Sequence, residues 1–423
     1  MADSPDQHLL YRFCKVAVLF GRHYLACGGP ISRLENRLVQ TAHALGIHCE
    51  VFALPTSLFV NARDDLTKTT VTLNGSIKRV DYDLQQMVIL EKFLPSLAHG
   101  EISLREANPY LKQIAKKKDD YPFWLRQAGP FVIGFFACLP LTHDLVKSIY
   151  GGLTTLVIAL IRSLLSQRLK LNETLADFFS SWFTFFIAAL CSRALKVPSE
   201  VLALGSLLYL VPGLTLTTAV SELVDHNFLS GTTKLFRGAL TLLSMGLAYL
   251  LFQELFTGLA ANKLTLSQTA SVPASFWLDL LSLTVIVMGF SIKFKVPKKY
   301  LVLATVIGVT GYVVLDSIDN SPKSYFVFAS FASSFTVGIL SLALGRWLHL
   351  PSQLFSVPGI LGLVPGMLSF SVFKYMALEK IENVTLIIIQ VILTCGAIVF
   401  GLLSARVPFL IHFSKKTTDS NEF

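Results

Sequence analysis

The sequence predicts an α-helical integral membrane protein, with ten transmembrane helices as two inverted five-helix repeats behind an N-terminal soluble α/β domain. Two features of composition predict this class. Of the 423 residues, 53% are apolar and only 15% are charged, whereas soluble domains carry about 25% charged residues. Residues 1–126 hold 29 of the 63 charged side chains, so a polar third precedes an apolar two-thirds. This balance excludes disordered, collagen-like and disulfide-rich secreted proteins.

Residues 1–126 are predicted to form a cytoplasmic α/β domain. Helical periodicity and capping signals predict four helices, at about Leu9–Ala26, Ser32–Leu45, Asp83–Ala98 and Ser103–Lys117. Three β-rich runs lie at Cys49–Ala53, Ser57–Asn61 and Thr69–Leu73. Ser32 and Glu35 have the spacing of a capping box. Asn74–Gly75 after the third run predicts a tight turn.

Ten apolar runs follow, most of them near the roughly 20 residues that a helix needs to cross a bilayer. They span residues 127–143, 145–166, 176–195, 199–224, 236–258, 273–292, 300–318, 325–347, 351–378 and 384–405. We therefore expect a first membrane repeat at 127–265, a second at 266–414 and a cytoplasmic tail at 415–423.

An internal repeat divides the apolar part into two copies. A shift of 153 residues aligns Ser180–Leu214 with Ser333–Met367 without a gap, and 11 of these 35 positions are identical. The identities include Leu-Val-Pro-Gly at Leu210–Gly213 and Leu363–Gly366. A duplicated unit of five helices explains the match. Because five is odd, the two copies cross the membrane in opposite senses, as in many secondary transporters.

Charge predicts the orientation of the chain. With the N-terminus in the cytoplasm, the inner segments after residue 115 carry 17 Lys and Arg, and the outer segments carry 7. This bias places both termini in the cytoplasm. The placement of Lys and Arg on the cytoplasmic side of the membrane then explains most of the net charge of +9, and no nucleic-acid partner is expected. The six cysteines are scattered without metal-ligand spacing, so they are interpreted as reduced packing residues, and neither a metal nor another cofactor is expected.

Each Val-Pro-Gly lies near the middle of a predicted span. Proline removes a backbone donor and glycine loosens the helix, and the freed backbone groups need protein or a water-filled cavity. Paired breaks predict a substrate site between the repeats, where helix N–H groups suit a carboxylate and freed carbonyls suit an ammonium. The predicted substrate-binding residues are Pro212, Gly213, Thr215, Thr217, Thr218, Pro365, Gly366, Ser369 and Ser371.

Two carboxylates follow the first break. Thr215, Thr218, Glu222 and Asp225 form one polar stripe along a helix. A carboxylate inside a membrane is costly and usually functional, so Glu222 and Asp225 are candidates for proton coupling. Glu222 lies nine residues after Gly213, which leaves a position within the membrane and a position at its cytoplasmic edge both open.

Three segments resemble the threonine/serine exporter family, whose bacterial relatives include a two-subunit succinate exporter. They are GGPISRLENRLVQTAHALGIHCEVFALPTSLFV (Gly28–Val60), LVPGLTLTTAVSELVDHNFLSGTTKLFRGAL (Leu210–Leu240) and VPGILGLVPGMLSFSVFKYM (Val357–Met376). The two halves are separate chains in some relatives and fused here. The resemblance implies export of small hydrophilic metabolites by the proton motive force. Relatives often have Asn and Asp where this chain has Thr218 and Glu222.

The expected function is therefore export of threonine or serine by antiport with protons, across the inner or plasma membrane. An enzymatic function is not expected, and no catalytic residues are assigned. Two alternatives stay open: a dicarboxylate exporter acting on succinate, and a membrane-tethered hydrolase acting through the N-terminal domain, where no nucleophile–base set is recognisable. The expected partners are the small-molecule substrate, protons and the lipid bilayer, and a homo-oligomer is an open alternative.

Overall fold

Four helices and a three-stranded antiparallel sheet make up the N-terminal part of the computed structural model. The structure describes residues 5–64, 68–77, 81–117, 119–195, 199–256, 276–319, 326–364, 371–372, 375 and 381–409. The N-terminal elements are α1 (Pro5–Ala26), α2 (Ile31–Ala44), β1 (His48–Ala53), β2 (Ser57–Arg63), β3 (Thr70–Ser76), α3 (Leu84–Ala98) and α4 (Leu104–Ala115). All seven lie within a few residues of the predicted ranges.

The sheet has the order β1-β2-β3, and its central strand carries the core of this domain. Leu58, Val60 and Ala62 on β2 are fully buried, because alternate side chains of a strand point to one face. The long helix α1 packs against β2 and β3 and contributes the buried rings of Phe13 and Phe20. The domain therefore has a hydrophobic core of its own.

The predicted tight turn at Asn74–Gly75 is wrong, because both residues lie inside β3 and pair with β2. A Cβ on Gly75 would lie 2.6 Å from Val18 Cγ1 on α1. The glycine therefore serves the close approach of α1 to the strand, which is a common reason for glycine within a sheet.

The predicted capping box at Ser32 and Glu35 is also wrong. Pro30 is the N-cap of α2, and no side chain caps this end of the helix. Glu35 instead accepts a hydrogen bond of 2.8 Å from the backbone N–H of Ala53, which ties α2 to the end of β1. A capping box does form at the start of α4.

The cysteines of this domain are packing residues, as predicted. Cys14, Cys27 and Cys49 are free thiols and buried. Burial raises the pKa of Cys14 to about 11 and the pKa values of Cys27 and Cys49 to about 12. Because the thiolate is the form that binds metals and attacks electrophiles, these thiols are inert at neutral pH. Within the described ranges, no cluster of His, Cys, Asp and Glu has the arrangement of a metal site.

The rest of the chain is helical wherever it is described, apart from short connections. Its helices are α5 (Phe123–Thr142), α6 (Leu145–Gln167), α7 (Glu173–Leu195), α8 (Ser199–Leu207), α9 (Gly213–Val224), α10 (Phe228–Leu255), α11 (Phe276–Lys293), α12 (Leu301–Asp319, preceded by a 3₁₀ turn at Lys298–Tyr300), α13 (Phe326–Trp347), α14 (Gln353–Gly359) and α15 (Ile381–Ser404). Eight helices in the described residues are long and apolar enough to cross a membrane. The predicted class of helical integral membrane protein is confirmed.

The outer surface of these helices is apolar. Val302 on α12 and Leu386 on α15 are 71% and 65% exposed, as parts of an apolar surface larger than monomeric soluble proteins usually expose. Trp124, Trp277 and Trp347 are exposed at the ends of α5, α11 and α13. Tryptophan is enriched at membrane–water interfaces, so these rings are suited to the edges of a bilayer.

Two of the ten predicted spans are interrupted. Within 199–224, α8 ends at Leu207 and α9 begins at Gly213, so the predicted break at Pro212 is present. Within 351–378, α14 ends at Gly359, and the following Pro365 and Gly366 lie outside the described residues. The other eight predicted spans correspond to the eight helices of membrane length.

Helix packing follows the internal repeat. A shift of 153 residues places α7 on α13, α8 on α14 and α10 on α15. In the first half α5–α6, α6–α7, α7–α8 and α7–α10 pack together, and the equivalent pairs α11–α12, α12–α13, α13–α14 and α13–α15 pack in the second. The halves contact each other where α5 packs on α11 and α9 packs on α15. The broken segments therefore lie close to where the halves meet.

Candidate functional site

Gly213 of the first Val-Pro-Gly segment lies against Val364, the described residue of the second, inside the membrane part. A Cβ built on Gly213 would lie 2.2 Å from Val364 Cγ1, whereas non-bonded carbons rest at about 3.5–4.0 Å. Val364 and Leu361 of the second half line the same cavity as Val211 and Gly213 of the first. The absence of a side chain at Gly213 is therefore what lets the two breaks touch.

The break cavity is the space beside residues 208–215, with a volume of about 490 Å³. Side chains of α6, α7, α10 and α11 line it, and the soluble domain closes one side with Thr56, Asp81 and Tyr82. Pro212 is the N-cap of α9, and no side chain caps this helix end. The first N–H groups of a helix have no partner within the helix, so α9 presents donors to this cavity.

Ion pairs surround the break cavity. Three of them join neighbouring helices: Arg162–Asp177, Arg237–Glu173 and Lys234–Glu222. The first is a contact of 2.6 Å, and Asp177 is only 3% exposed. Thr241 on α10 also donates to the Asp177 carboxylate, at 3.2 Å. The buried Asp177 therefore has partners from two other elements, as a charge inside a membrane protein requires.

Lys293 and Asp81 line the same cavity but belong to none of these pairs. No described carboxylate lies within 4.0 Å of the Lys293 ammonium, and no described cation within 4.0 Å of the Asp81 carboxylate. Lys293 Nζ donates to the backbone carbonyl of Tyr209 at 3.3 Å and lies 3.7 Å from the centre of the Tyr209 ring. A carbonyl of the broken segment thus binds an ammonium, although one supplied by the protein.

The domain cavity is a second space, of about 480 Å³, between α2 and the membrane helices. Polar side chains of α2, including Arg33 and Arg37, face α9 and the adjoining ends of α13, α14 and α15. Ser341 Oγ and Gln353 Oε1 are buried at this cavity without a hydrogen-bond partner among the described residues. Buried polar atoms are nearly always partnered, so these two are available to water or to a ligand.

Tyr82 and Thr218 line both cavities and stand between them. The Tyr82 hydroxyl lies 3.4 Å from Thr218 Oγ1. The Thr218 hydroxyl itself donates to the carbonyl of Leu214 at 2.9 Å, so Tyr82 is the donor in the contact between the two side chains. A residue of the soluble domain thus contacts the polar face of α9.

Glu222 is buried, with 7% of its surface exposed. Its carboxylate accepts a hydrogen bond from Ser230 and forms an ion pair with Lys234, both on α10. The sequence leaves a position within the membrane and one at its cytoplasmic edge open for Glu222, and the structure shows that its side chain is buried in protein at the cavity beside the soluble domain. Asp225, nearer the end of α9, contacts Arg406 at 3.6 Å. Both carboxylates line the domain cavity.

The soluble domain is joined to the membrane part through the segment after α11. Lys295 Nζ contacts Asp83 at 2.8 Å and Asp119 at 2.9 Å, and the backbone N–H of Leu84 donates to the carbonyl of Phe294 at 3.0 Å. Burial acts to lower the pKa of Lys295, but the two carboxylates outweigh it and raise the pKa above its usual value. The lysine charge therefore stabilises this junction fully below the ordinary lysine pKa, and the stabilisation is lost as the pH rises through the raised pKa.

Lys295→Met should loosen the soluble domain. The substitution removes two charge-assisted contacts, and hydrogen bonds to charged groups contribute about 1.5–3 kcal/mol each. We expect trypsin to cleave the full-length protein in detergent after the exposed Lys116 and Lys117 about tenfold faster than in the wild type. Lys299→Met, on the same connection, should leave the rate unchanged. Equal cleavage of Lys295→Met and wild type would show that this junction does not hold the domain.

The structure brings together the predicted site residues of the first half. They line one or both cavities: Pro212, Gly213, Thr215, Thr217 and Thr218. In the second half, Pro365, Gly366 and Ser369 lie outside the described residues, and Ser371 is helical.

Sequence reasoning missed several residues of the break cavity. It assigned Arg162, Lys234 and Lys293 to membrane sidedness, and it passed over Asp177. A signal was present for one pair, because Arg162 and Asp177 both fall within predicted apolar runs. No local signal marks Asp81, which reaches the membrane part only through the tertiary fold.

Comparison with known proteins relates both halves of the chain to one group of exporters. Residues 15–256 match the family described as "Putative threonine/serine exporter", and residues 279–407 match the one described as "Threonine/Serine exporter, ThrE". The chain is also similar to curated proteins named "Pheromone-regulated membrane protein 10". It is 22% identical to that of Eremothecium gossypii over 86% of this chain and 49% of the relative. It is 22% identical to that of Saccharomyces cerevisiae over 87% of this chain and 46% of the relative. The chain thus spans about half the length of these relatives. No solved structure matches it.

Proposed function

This chain belongs to the threonine/serine exporter family, and we propose that it is a secondary transporter that exports small hydrophilic metabolites in exchange for protons. Threonine and serine are the first candidate substrates, and the inner or plasma membrane is the proposed location. One observation carries the proposal: Gly213 of the first break touches Val364 of the second half at the wall of a cavity of about 490 Å³ that several charged side chains line. Secondary transporters bind substrates at such paired breaks.

The proposed membrane topology has ten crossings in two inverted five-helix repeats. In it, residues 199–224 and 351–378 are each one interrupted crossing. The equivalent packing of four helix pairs in each half supports a duplicated unit. Five crossings separate α7 from α13, so the two copies would run in opposite directions.

The proposed orientation has both termini in the cytoplasm. Structural support comes from the elements that gather near the soluble domain, where Lys295 contacts Asp83 and Asp225 contacts Arg406. These contacts bring the start of α12, the end of α9 and the end of α15 to one side, as alternating crossings would. The positive charges at these ends follow the positive-inside rule.

Substrate is proposed to bind between Pro212–Thr218 and Pro365–Ser371. The uncapped start of α9 would supply N–H donors to a carboxylate. Glu222 is the proposed proton-coupling group and Asp225 is secondary to it. Support for this order comes from burial, because Glu222 lies in the interior beside Lys234, whereas Asp225 is at the end of α9.

Succinate export is the second candidate function. Four cations line the break cavity, namely Arg162, Lys234, Arg237 and Lys293, and a dianion would be attracted to positive charge. Three of the four already have a carboxylate partner, which makes this candidate the weaker one.

The test is flux through proteoliposomes that contain the purified full-length protein. Vesicles are loaded with labelled threonine, serine or succinate, and efflux is followed with and without an imposed pH gradient. We expect threonine and serine to leave faster with the gradient, and unlabelled threonine to compete where succinate does not. Succinate flux that threonine leaves untouched would shift the function to the second candidate, and no flux above protein-free vesicles would overturn transport of all three.

A further inference from the structure

We propose that the break cavity binds a zwitterionic α-amino acid, with Lys293 holding its carboxylate and Asp81 of the soluble domain holding its ammonium. This inference rests on the proposed transport function and deepens it, because it names the two groups that select the two charges of the ligand. It also makes the soluble domain part of the binding site.

The charges that line the cavity lead to this assignment. Arg162, Asp177, Arg237 and Glu173 are joined in two ion pairs, and Lys234 is joined to Glu222. After these pairs, the described lining retains one ammonium and one carboxylate without an ion-pair partner, Lys293 and Asp81. A ligand that carries one positive and one negative charge complements them both.

Lys293 lies at the broken segment. Its side chain is exposed to the cavity, and only one of its three donors is directed at the Tyr209 carbonyl. The unpaired N–H groups at the start of α9 line the same space. An incoming carboxylate would therefore meet a cation and a helix N-terminus together, a combination that favours anions.

Asp81 is positioned by a short segment that runs beside Lys293. The Asp81 N–H donates to the carbonyl of Ala26 at 2.8 Å, and Leu84 N–H donates to Phe294. Tyr82 packs edge-on against the Phe294 ring, with 5.6 Å between the ring centres. Contacts on both sides of Asp81 therefore fix it against the residue that follows Lys293. Among the described contacts the two charges do not form an ion pair with each other, so neither one neutralises the other directly.

The same arrangement disfavours a dicarboxylate. One carboxylate of succinate would find Lys293, but the other would face Asp81, and like charges in a cavity of low dielectric repel strongly. An amino acid places its ammonium at that position instead. The volume of about 490 Å³ lies within the range of about 300–1,000 Å³ common for small-molecule sites.

The test measures equilibrium binding of labelled threonine to the purified full-length protein, in competition with two analogues. Threonine methyl ester lacks the carboxylate charge, and 2,3-dihydroxybutyrate lacks the ammonium. We expect Lys293→Gln to weaken the binding of threonine by about tenfold to hundredfold and to leave the binding of the ester nearly unchanged. Asp81→Asn should weaken the binding of threonine by a similar factor and leave the binding of dihydroxybutyrate nearly unchanged.

Matched variants control for folding. Lys299→Gln and Glu101→Gln remove the same charges at exposed positions and should bind like the wild type, and Lys293→Arg and Asp81→Glu should keep most of the affinity. Equal loss of all three ligands, or no loss, would overturn the assignment. Tighter succinate binding by Asp81→Asn with threonine unaffected would identify a dianion site instead. If threonine binds as expected but no flux is found in proteoliposomes, the proposed function fails and the binding site stands.

Discussion

Gly213→Ala is expected to reduce threonine flux by about tenfold or more, although it adds a single methyl group. That methyl would lie 2.2 Å from Val364 Cγ1, so either the Val364 side chain or one of the two broken segments has to move. Overpacking of this kind costs about 1–3 kcal/mol, which corresponds to roughly fivefold to hundredfold in an equilibrium. Because the cost falls where the two halves touch, we expect it to change the relative position of the breaks. The measurement is counterflow of labelled threonine in proteoliposomes.

A compensating substitution separates this effect from general damage. Val364→Ala removes the atom that clashes, so the double variant Gly213→Ala/Val364→Ala should recover most of the lost flux. Gly396→Ala is the matched control, because a Cβ there meets nothing within 4 Å, and alanine is a better helix former than glycine. Wild-type flux in Gly213→Ala, or no recovery in the double variant, would show that the contact between the breaks does not matter for transport.

A site between the two breaks could be anticipated from the sequence, because each break is marked by its own Val-Pro-Gly residues. Pro212 and Gly213 together weaken a helix at their own position, and the repeat shows that a second copy exists. The strands and helices of the soluble domain were equally accessible, since their signals are periodicity and turn residues. Prediction erred where a local rule competed with packing. At position 75 a glycine is needed inside a strand, because α1 approaches the strand closely there. Glu35 does not cap α2, because its carboxylate accepts a hydrogen bond from the Ala53 N–H instead.

The charges of the cavity could not be predicted in the same way. Lys293 lies at a helix end, where membrane sidedness already accounts for a lysine. Its importance appears only in the structure, where Arg162, Lys234 and Arg237 each have a carboxylate partner and Lys293 has none among the described residues. Asp81 is more than 200 positions away in the sequence and reaches the cavity through the docking of the soluble domain. Pairing across such distances is set by the tertiary fold.

Lys234→Met is expected to stop transport at neutral pH. It should also destabilise the protein more than the double variant Glu222→Gln/Lys234→Met, in which both charges are removed. In the wild type the buried Glu222 has Lys234 and Ser230 as partners. Removing the cation alone leaves a buried carboxylate supported only by a hydroxyl, and breaking a buried ion pair costs about 3–5 kcal/mol. The double variant Glu222→Gln/Lys234→Met has no unpaired buried charge at this position, so it should be more stable than Lys234→Met and should recover downhill exchange of threonine.

Glu222→Gln separates proton coupling from substrate movement. A glutamine keeps the shape and can still accept from Ser230, but it cannot take up or release a proton. If Glu222 couples transport to protons, Glu222→Gln should retain counterflow and lose the acceleration by a pH gradient, which the wild type shows. Glu254→Gln, at the far end of α10 and exposed, should keep both. Gradient-driven efflux in Glu222→Gln would mean that the Glu222–Lys234 pair is structural. The higher stability expected of the double variant would remain in that case, because it depends on burial alone; loss of coupling is the result that assigns Glu222 a role in transport.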